Sequence, residues 1–165
     1  MELWDAYTRD LQRIEGTVLV RGEPMPEGVY HLVADVLVGH VDGTWLVMRR
    51  ARCKHNGGQW EATAGGSALQ GESPRQCAAR ELYEETGVTA LDMVETGRSI
   101  NDERHTVYVE YLCRTACDKD SVRLQAGETE AYRWVATDEL RTMRDDGTLT
   151  RRSNELVAKV VEGWC

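Results

Sequence analysis

Short runs of apolar and β-branched residues recur at residues 17–21, 30–41, 44–50, 106–113 and 131–135, each bounded by glycine, proline or charged side chains. Runs of that length and makeup predict β-strands. Asp42 and Gly43, between the second and third runs, have the residue types of a tight hairpin turn. Apolar residues at helical spacing mark residues 73–86, 137–144 and 154–163, with Thr137 or Asp138 as the cap of the second segment. Helices interleaved with hairpin-linked strands favour an α/β fold, an α/β/α sandwich built on a mixed central sheet. No repeat or low-complexity tract divides the chain, so its 165 residues predict one domain, with residues 1–28 as an N-terminal extension and 29–165 as the core.

The helix at 73–86 is the most fully specified element. Ser73 suits the N-cap, Pro74 the first helical position, and Gln76 completes a capping box three residues after Ser73. Gly87 is placed to take the left-handed conformation that stops a helix. Within it Glu81, Glu84 and Glu85 stand at i, i+3 and i+4, which puts three carboxylates on one face. Each like-charged pair costs a few tenths of a kcal/mol on an exposed helix, and more where water is excluded. Arg80 can reach Glu84 one turn on, but one arginine cannot neutralise three acids. A hard divalent cation bound by carboxylate oxygens offsets the repulsion directly. Upstream, residues 63–67 (Thr-Ala-Gly-Gly-Ser) and 70–72 (Gln-Gly-Glu) read as a glycine-marked loop that brings Glu72 to the helix N-terminus. Adjacent glycines there let backbone approach a ligand closely.

Acidic residues outnumber basic ones by 28 to 20, a formal net charge of −8, which repels a nucleic-acid polymer. An acidic protein still acts on small anions where a cation neutralises them locally. Residues 1–10 contain Glu2, Asp5 and Asp10 and neither a basic leader nor a long apolar run, and no stretch is long enough to span a bilayer. The expectation is a cytoplasmic protein without a membrane partner. Five unevenly spaced cysteines, with no Cys-x-x-Cys pair, point to reduced thiols rather than a zinc site.

The spacing Gly66, five residues, Glu72, seven residues, then Arg-Glu-Leu-Tyr-Glu-Glu-Thr-Gly-Val from Arg80 to Val88 resembles the Nudix box, with each fixed position filled. The box covers residues 66–88, and the order of the flanking strands is similar to the Nudix fold. The resemblance implies Mg2+ or Mn2+ held by Glu84 and Glu85 with help from Glu81, and by a backbone carbonyl at Gly65. It implies no organic cofactor. Arg80 would orient the glutamates. The implied reaction is hydrolysis of a diphosphate bond, in a nucleoside diphosphate linked to another moiety or in a related small diphosphate. Metal would cancel the anionic charge and acidify the attacking water. Glu81, or a loop glutamate at Glu128 or Glu130, would take the proton.

Other features have two readings each. Arg49, Arg50, Arg52 and Lys54 form a basic run that is either a solvated strand end or a phosphate contact, and Trp60 is either core or a stacking platform. The four histidines stand singly and receive no role. Residues 1–28 suggest an added strand or hairpin that covers the sheet or builds a homodimer contact. The isopentenyl-diphosphate isomerase branch shares the fold, but its catalytic cysteine would fall at Gly65, which has no acid or nucleophile. A ligand-binding module that has lost catalysis is the other alternative, and the complete glutamate set argues against it. The absence of proline after Pro74 disfavours ADP-ribose as substrate.

Overall fold

A computed structural model describes residues 1–161. The chain opens with an antiparallel hairpin, β1 (Leu3–Tyr7) and β2 (Arg13–Val20), which forms its own two-stranded sheet. The main sheet contains β3 (His31–His40), β4 (Trp45–Arg50), β5 (Trp60–Glu61), β6 (Thr63–Ser67), β7 (Asp92–Asn101), β8 (Thr106–Thr115) and β9 (Thr129–Val135). Its strands run in the order β5-β4-β3-β8-β7, with β6 also paired to β3 and β9 to β4. β3 and β8 are parallel, from His31 opposite Thr106 to His40 opposite Thr115, and the other pairings are antiparallel, so the sheet is mixed as expected.

Among the described residues three α-helices cover the sheet: α1 (Pro74–Thr86), α2 (Thr137–Asp145) and α3 (Arg151–Val161). Side chains alternate between the faces of a strand, and that alternation divides the core. Ala34, Val36 and Val38 of β3 pack with Ala78 and Leu82 of α1. Leu37, between them, packs on the other side with Leu140 of α2 and Leu156 and Val160 of α3. A strand buried on both faces therefore reads as a continuous apolar run, which is why 30–41 carries no clean alternation. Among the described residues no helix is long and apolar enough to cross a membrane.

Several elements differ from the sequence expectation. The glycine-marked segment Thr63–Ser67 is a strand, with Gly65 opposite Asp35 and Gly66 opposite Ala34. A β-carbon on Gly65 would lie 2.3 Å from the Ala34 carbonyl oxygen, so glycine here permits strand contact. β7 was not anticipated: only Met93 is buried along it, and an exposed edge strand lacks the apolar alternation that reveals strands. The cap of α2 is Ala136, which has no side-chain acceptor, rather than the expected Thr137 or Asp138; the Thr137 hydroxyl accepts the Trp45 indole N–H at 2.9 Å. α3 begins at Arg151, three residues before the expected start, and the expected end at Gly163 lies outside the described residues.

The N-terminal hairpin braces the segment that leads into α1. Gln70 N–H donates to the Leu3 carbonyl and Gly71 N–H to the buried Asp5 carboxylate, both at 2.8 Å. Trp4 stacks on His31 with ring centres 4.6 Å apart, tying β1 to the start of β3.

Candidate active site

α1 starts and stops as its sequence dictates. Ser73 and Gln76 form the reciprocal capping box, and Gly87 closes the helix at φ 70° with its N–H on the Tyr83 carbonyl. Cys77, Ala78, Leu82 and Thr86 bury one face, which turns Arg80, Glu81, Glu84 and Glu85 toward the β6 side and the solvent.

Arg80 is the hub of the acidic cluster. It donates to Glu72 from Nε at 2.7 Å and Nη2 at 2.9 Å, to Glu81 at 2.7 Å, to Glu84 at 3.0 Å and to the Ser67 carbonyl at 3.0 Å. Glu72 is therefore held by Arg80 rather than serving the helix terminus alone, and the same bonds keep its carboxyl below the ordinary range. Burial raises the Glu81 carboxyl, and Arg80 only partly opposes that shift. A β-carbon on Gly66 would meet the Glu81 carboxyl carbon at 2.5 Å, so this glycine leaves the space that Glu81 fills.

Glu85 is the exception, because no arginine reaches it among the described residues. It receives the Gly65 N–H at 3.2 Å. Burial, then the neighbouring Glu81 charge, pushes its carboxyl up to about 8, and the charges of Glu61 and Glu128 act in the same sense. A partly buried carboxylate among like charges favours a proton or a cation. Among the described residues no three histidine, cysteine, aspartate or glutamate side chains already form a metal cage; Arg80 draws Glu81 and Glu84 toward itself while Glu85 turns to Gly65. The donor types still suit a hard cation: carboxylate oxygens from Glu81, Glu84 and Glu85 beside a glycine backbone with no side chain in the way.

The basic run after β4 pairs with acids around this cluster. Arg50 bonds Glu61 at 2.6 Å, Arg49 forms an ion pair with Glu130 at 2.9 Å, and Lys54 bonds Glu128. The two loop glutamates are thereby separated: the Glu128 charge is felt by both Glu85 and Glu61, whereas Glu130 is engaged by Arg49. Trp60 is half-buried, with the Arg133 guanidinium 4.8 Å and that of Arg49 5.8 Å from its ring centre, so it packs against cations beside the core.

Glu85, Gly65 and Glu61 line a cavity of about 640 Å3 together with Asp35, Tyr108 and Arg152. The last three were missed by the sequence reading. Asp35 and Glu110 are buried acids in the middle of β3 and β8, opposite each other in register. Arg152 of α3 donates to Asp35 at 2.6 Å, Ser99 at 3.0 Å and Glu110 at 2.9 Å, and lies 4.1 Å from the Tyr108 ring centre. Lys159 adds two 3.0 Å bonds to Glu110. An acid inside an otherwise apolar strand was the available signal, since a buried charge implies a partner.

A NUDIX domain model matches residues 29–157, so the chain belongs to the Nudix family. Members of this family generally hydrolyse diphosphate bonds with the help of divalent cations. An uncharacterised Nudix hydrolase of Listeria innocua is 31% identical over 149 residues, covering 89% of this chain and 87% of its own length. An isopentenyl-diphosphate Delta-isomerase of Streptomyces avermitilis is 32% identical over 98 residues, covering 56% of this chain and 50% of that protein. Among solved structures, a Deinococcus radiodurans protein superposes with a TM-score of 0.74 at 16% identity, over 96% of this chain and 98% of that one. The NUDIX domain of Shewanella oneidensis NrtR, complexed with ADP ribose, gives 0.66 at 18% identity, over 82% and 89%. At those identities the two structures establish the fold.

Proposed function

We propose that this chain hydrolyses the diphosphate bond of a small molecule, such as a nucleoside diphosphate linked to another moiety, with Mg2+ or Mn2+ held by Glu84, Glu85, Glu81 and the Gly65 carbonyl. The observation that carries the reading is Glu85, a partly buried carboxylate crowded by Glu81, Glu61 and Glu128, with the Gly65 N–H as its donor among the described residues. A bound divalent cation would neutralise the diphosphate and acidify the attacking water. Arg80 keeps Glu81 and Glu84 oriented through its two Nη1 bonds. The first of these bonds occupies Glu81 Oε1, which leaves Oε2 to take the proton of the water. Glu128 is the second candidate base; its salt bridge to Lys54 would have to open first.

The isomerase reading loses its acid-base group, since Gly65 has no side chain and Asp35 Oδ1 occupies the space beside it. Turnover of a panel of diphosphates with Mg2+ or Mn2+ tests the proposal. At least one compound is hydrolysed, and Glu84→Gln and Glu85→Gln each lower the rate by orders of magnitude; unchanged rates in both variants would refute the mechanism. Activity rises toward alkaline pH, because burial raises both Glu81 and Glu85 and each must lose its proton to act. A maximum in acid would contradict that order of events.

A further inference from the structure

Asp35 has no part in the hydrolysis just described, yet it lines the same cavity. Its side chain is about 10% exposed, and Oδ2 is fixed by the 2.6 Å bond from Arg152 Nε. Oδ1 lies over Gly65, 2.7 Å from where a β-carbon would stand, and receives no hydrogen bond among the described residues. Arg152 is itself immobilised by Ser99 and Glu110 and by its stack on Tyr108. The result is a rigid acceptor with an unused oxygen. Asp35 and Gly65 face each other in register, with Cα atoms about 5 Å apart as in neighbouring antiparallel strands.

The rest of the cavity wall is polar. Arg50, Glu61, Ser99, Asn101, Arg104 and Glu155 line it, and among the described residues Ile100 is its one aliphatic side chain. Such a wall gives a hydrocarbon chain little to pack against, and an apolar group against Asp35 would leave a buried acceptor without a partner. A further phosphate beside Asp35 would meet a like charge.

We propose that Asp35 Oδ1 accepts a hydrogen bond from a hydroxyl or amino group on the organic part of the substrate, close to the diphosphate. The substrate class is then a diphosphate ester of a sugar or similar polyol, rather than a prenyl diphosphate. Arg152 acts as a positioning residue for this contact. The inference rests on the hydrolase reading and narrows it.

The test uses the full chain with saturating Mn2+ and three probes: UDP-glucose, ADP-ribose and geranyl diphosphate. Wild type binds and hydrolyses at least one of the sugar-bearing probes in preference to geranyl diphosphate. Asp35→Ala raises KM for that probe by about ten- to a hundredfold, the size expected for a hydrogen bond to a charged buried group, while kcat changes only a few-fold. Mn2+ affinity, read by electron paramagnetic resonance, is unchanged in the variant, which separates a substrate contact from a metal ligand. Asp35→Asn preserves the side-chain volume and leaves Arg152 its bonds to Glu110 and Ser99, so it stays folded by circular dichroism and shows a smaller KM increase. Preference for geranyl diphosphate, binding of neither sugar-bearing probe, or a KM within twofold of wild type in both variants overturns the proposal. Glu85→Gln distinguishes the two layers: if it keeps full turnover the hydrolase reading falls, and if it is inactive while the Asp35 variants behave as wild type, only the substrate inference falls.

Discussion

Removing the negative charge at Glu85 should stabilise the metal-free protein while destroying its activity. The native carboxyl is pushed from the ordinary 4.5 to about 8, chiefly by burial and then by Glu81. Between those two pH values the folded chain holds a proton that the unfolded chain has released, so folding weakens as pH rises through the window. Below 4.5 both states carry the proton, above 8 neither does, and the dependence levels off on either side. An interval of about 3.5 pH units at ~1.36 kcal/mol each sets an upper bound of roughly 5 kcal/mol. Coupling to Glu81 and water entering the cavity reduce the realised effect to about half of that. Glutamine at the same position can still accept the Gly65 N–H, does not titrate, and offers Glu81 a donor.

The assay is thermal unfolding of wild type and Glu85→Gln in EDTA from pH 5 to pH 9. At ~2–4 °C per kcal/mol for a chain of this size, the variant should gain about 5–10 °C over wild type between the two ends of the range. Excess Mn2+ should then raise the wild-type midpoint at pH 8 and move the variant much less, because the ion stabilises the state that binds it. A Tm difference that stays flat from pH 5 to pH 9 would show that Glu85 titrates normally and that the acids are simply solvated.

Three further substitutions separate roles that the sequence cannot. Gly65→Ala drives a β-carbon to 2.3 Å from the Ala34 carbonyl, a backbone atom that cannot swing aside, so Tm falls by several degrees for a cost of about 1–3 kcal/mol. Gly66→Ala meets the flexible end of Glu81 instead, and should keep Tm within about two degrees while activity drops; equal losses of Tm in the two variants would contradict this distinction. Arg152→Met leaves Asp35 without a charged partner and Glu110 with Lys159 and Ser99 alone, and urea unfolding should show a loss near the lower end of about 3–5 kcal/mol. A loss under about 1 kcal/mol would mean that the network is not buried as described.

The sequence by itself determined α1 and the placement of its acidic residues. Capping, helix period and the spacing of Arg80, Glu81, Glu84 and Glu85 are local properties, set by residues a few turns apart at most, and the helix appears with the expected cap and stop and with its acids on one side. Strands buried on both faces were legible from their apolar runs, although their pairing was not. What only the tertiary structure decided is the wall opposite the helix. Asp35, Glu110 and Arg152 are separated by up to 117 residues and meet because β3 and β8 run parallel in register beneath α3. β6 and β7 likewise escaped notice, since glycines and exposed polar residues carry no periodic signal and become strand only where a neighbour offers its backbone. Pairing between distant segments is fixed by the closing of the whole core, and a one-dimensional pattern contains no record of which segments will face each other.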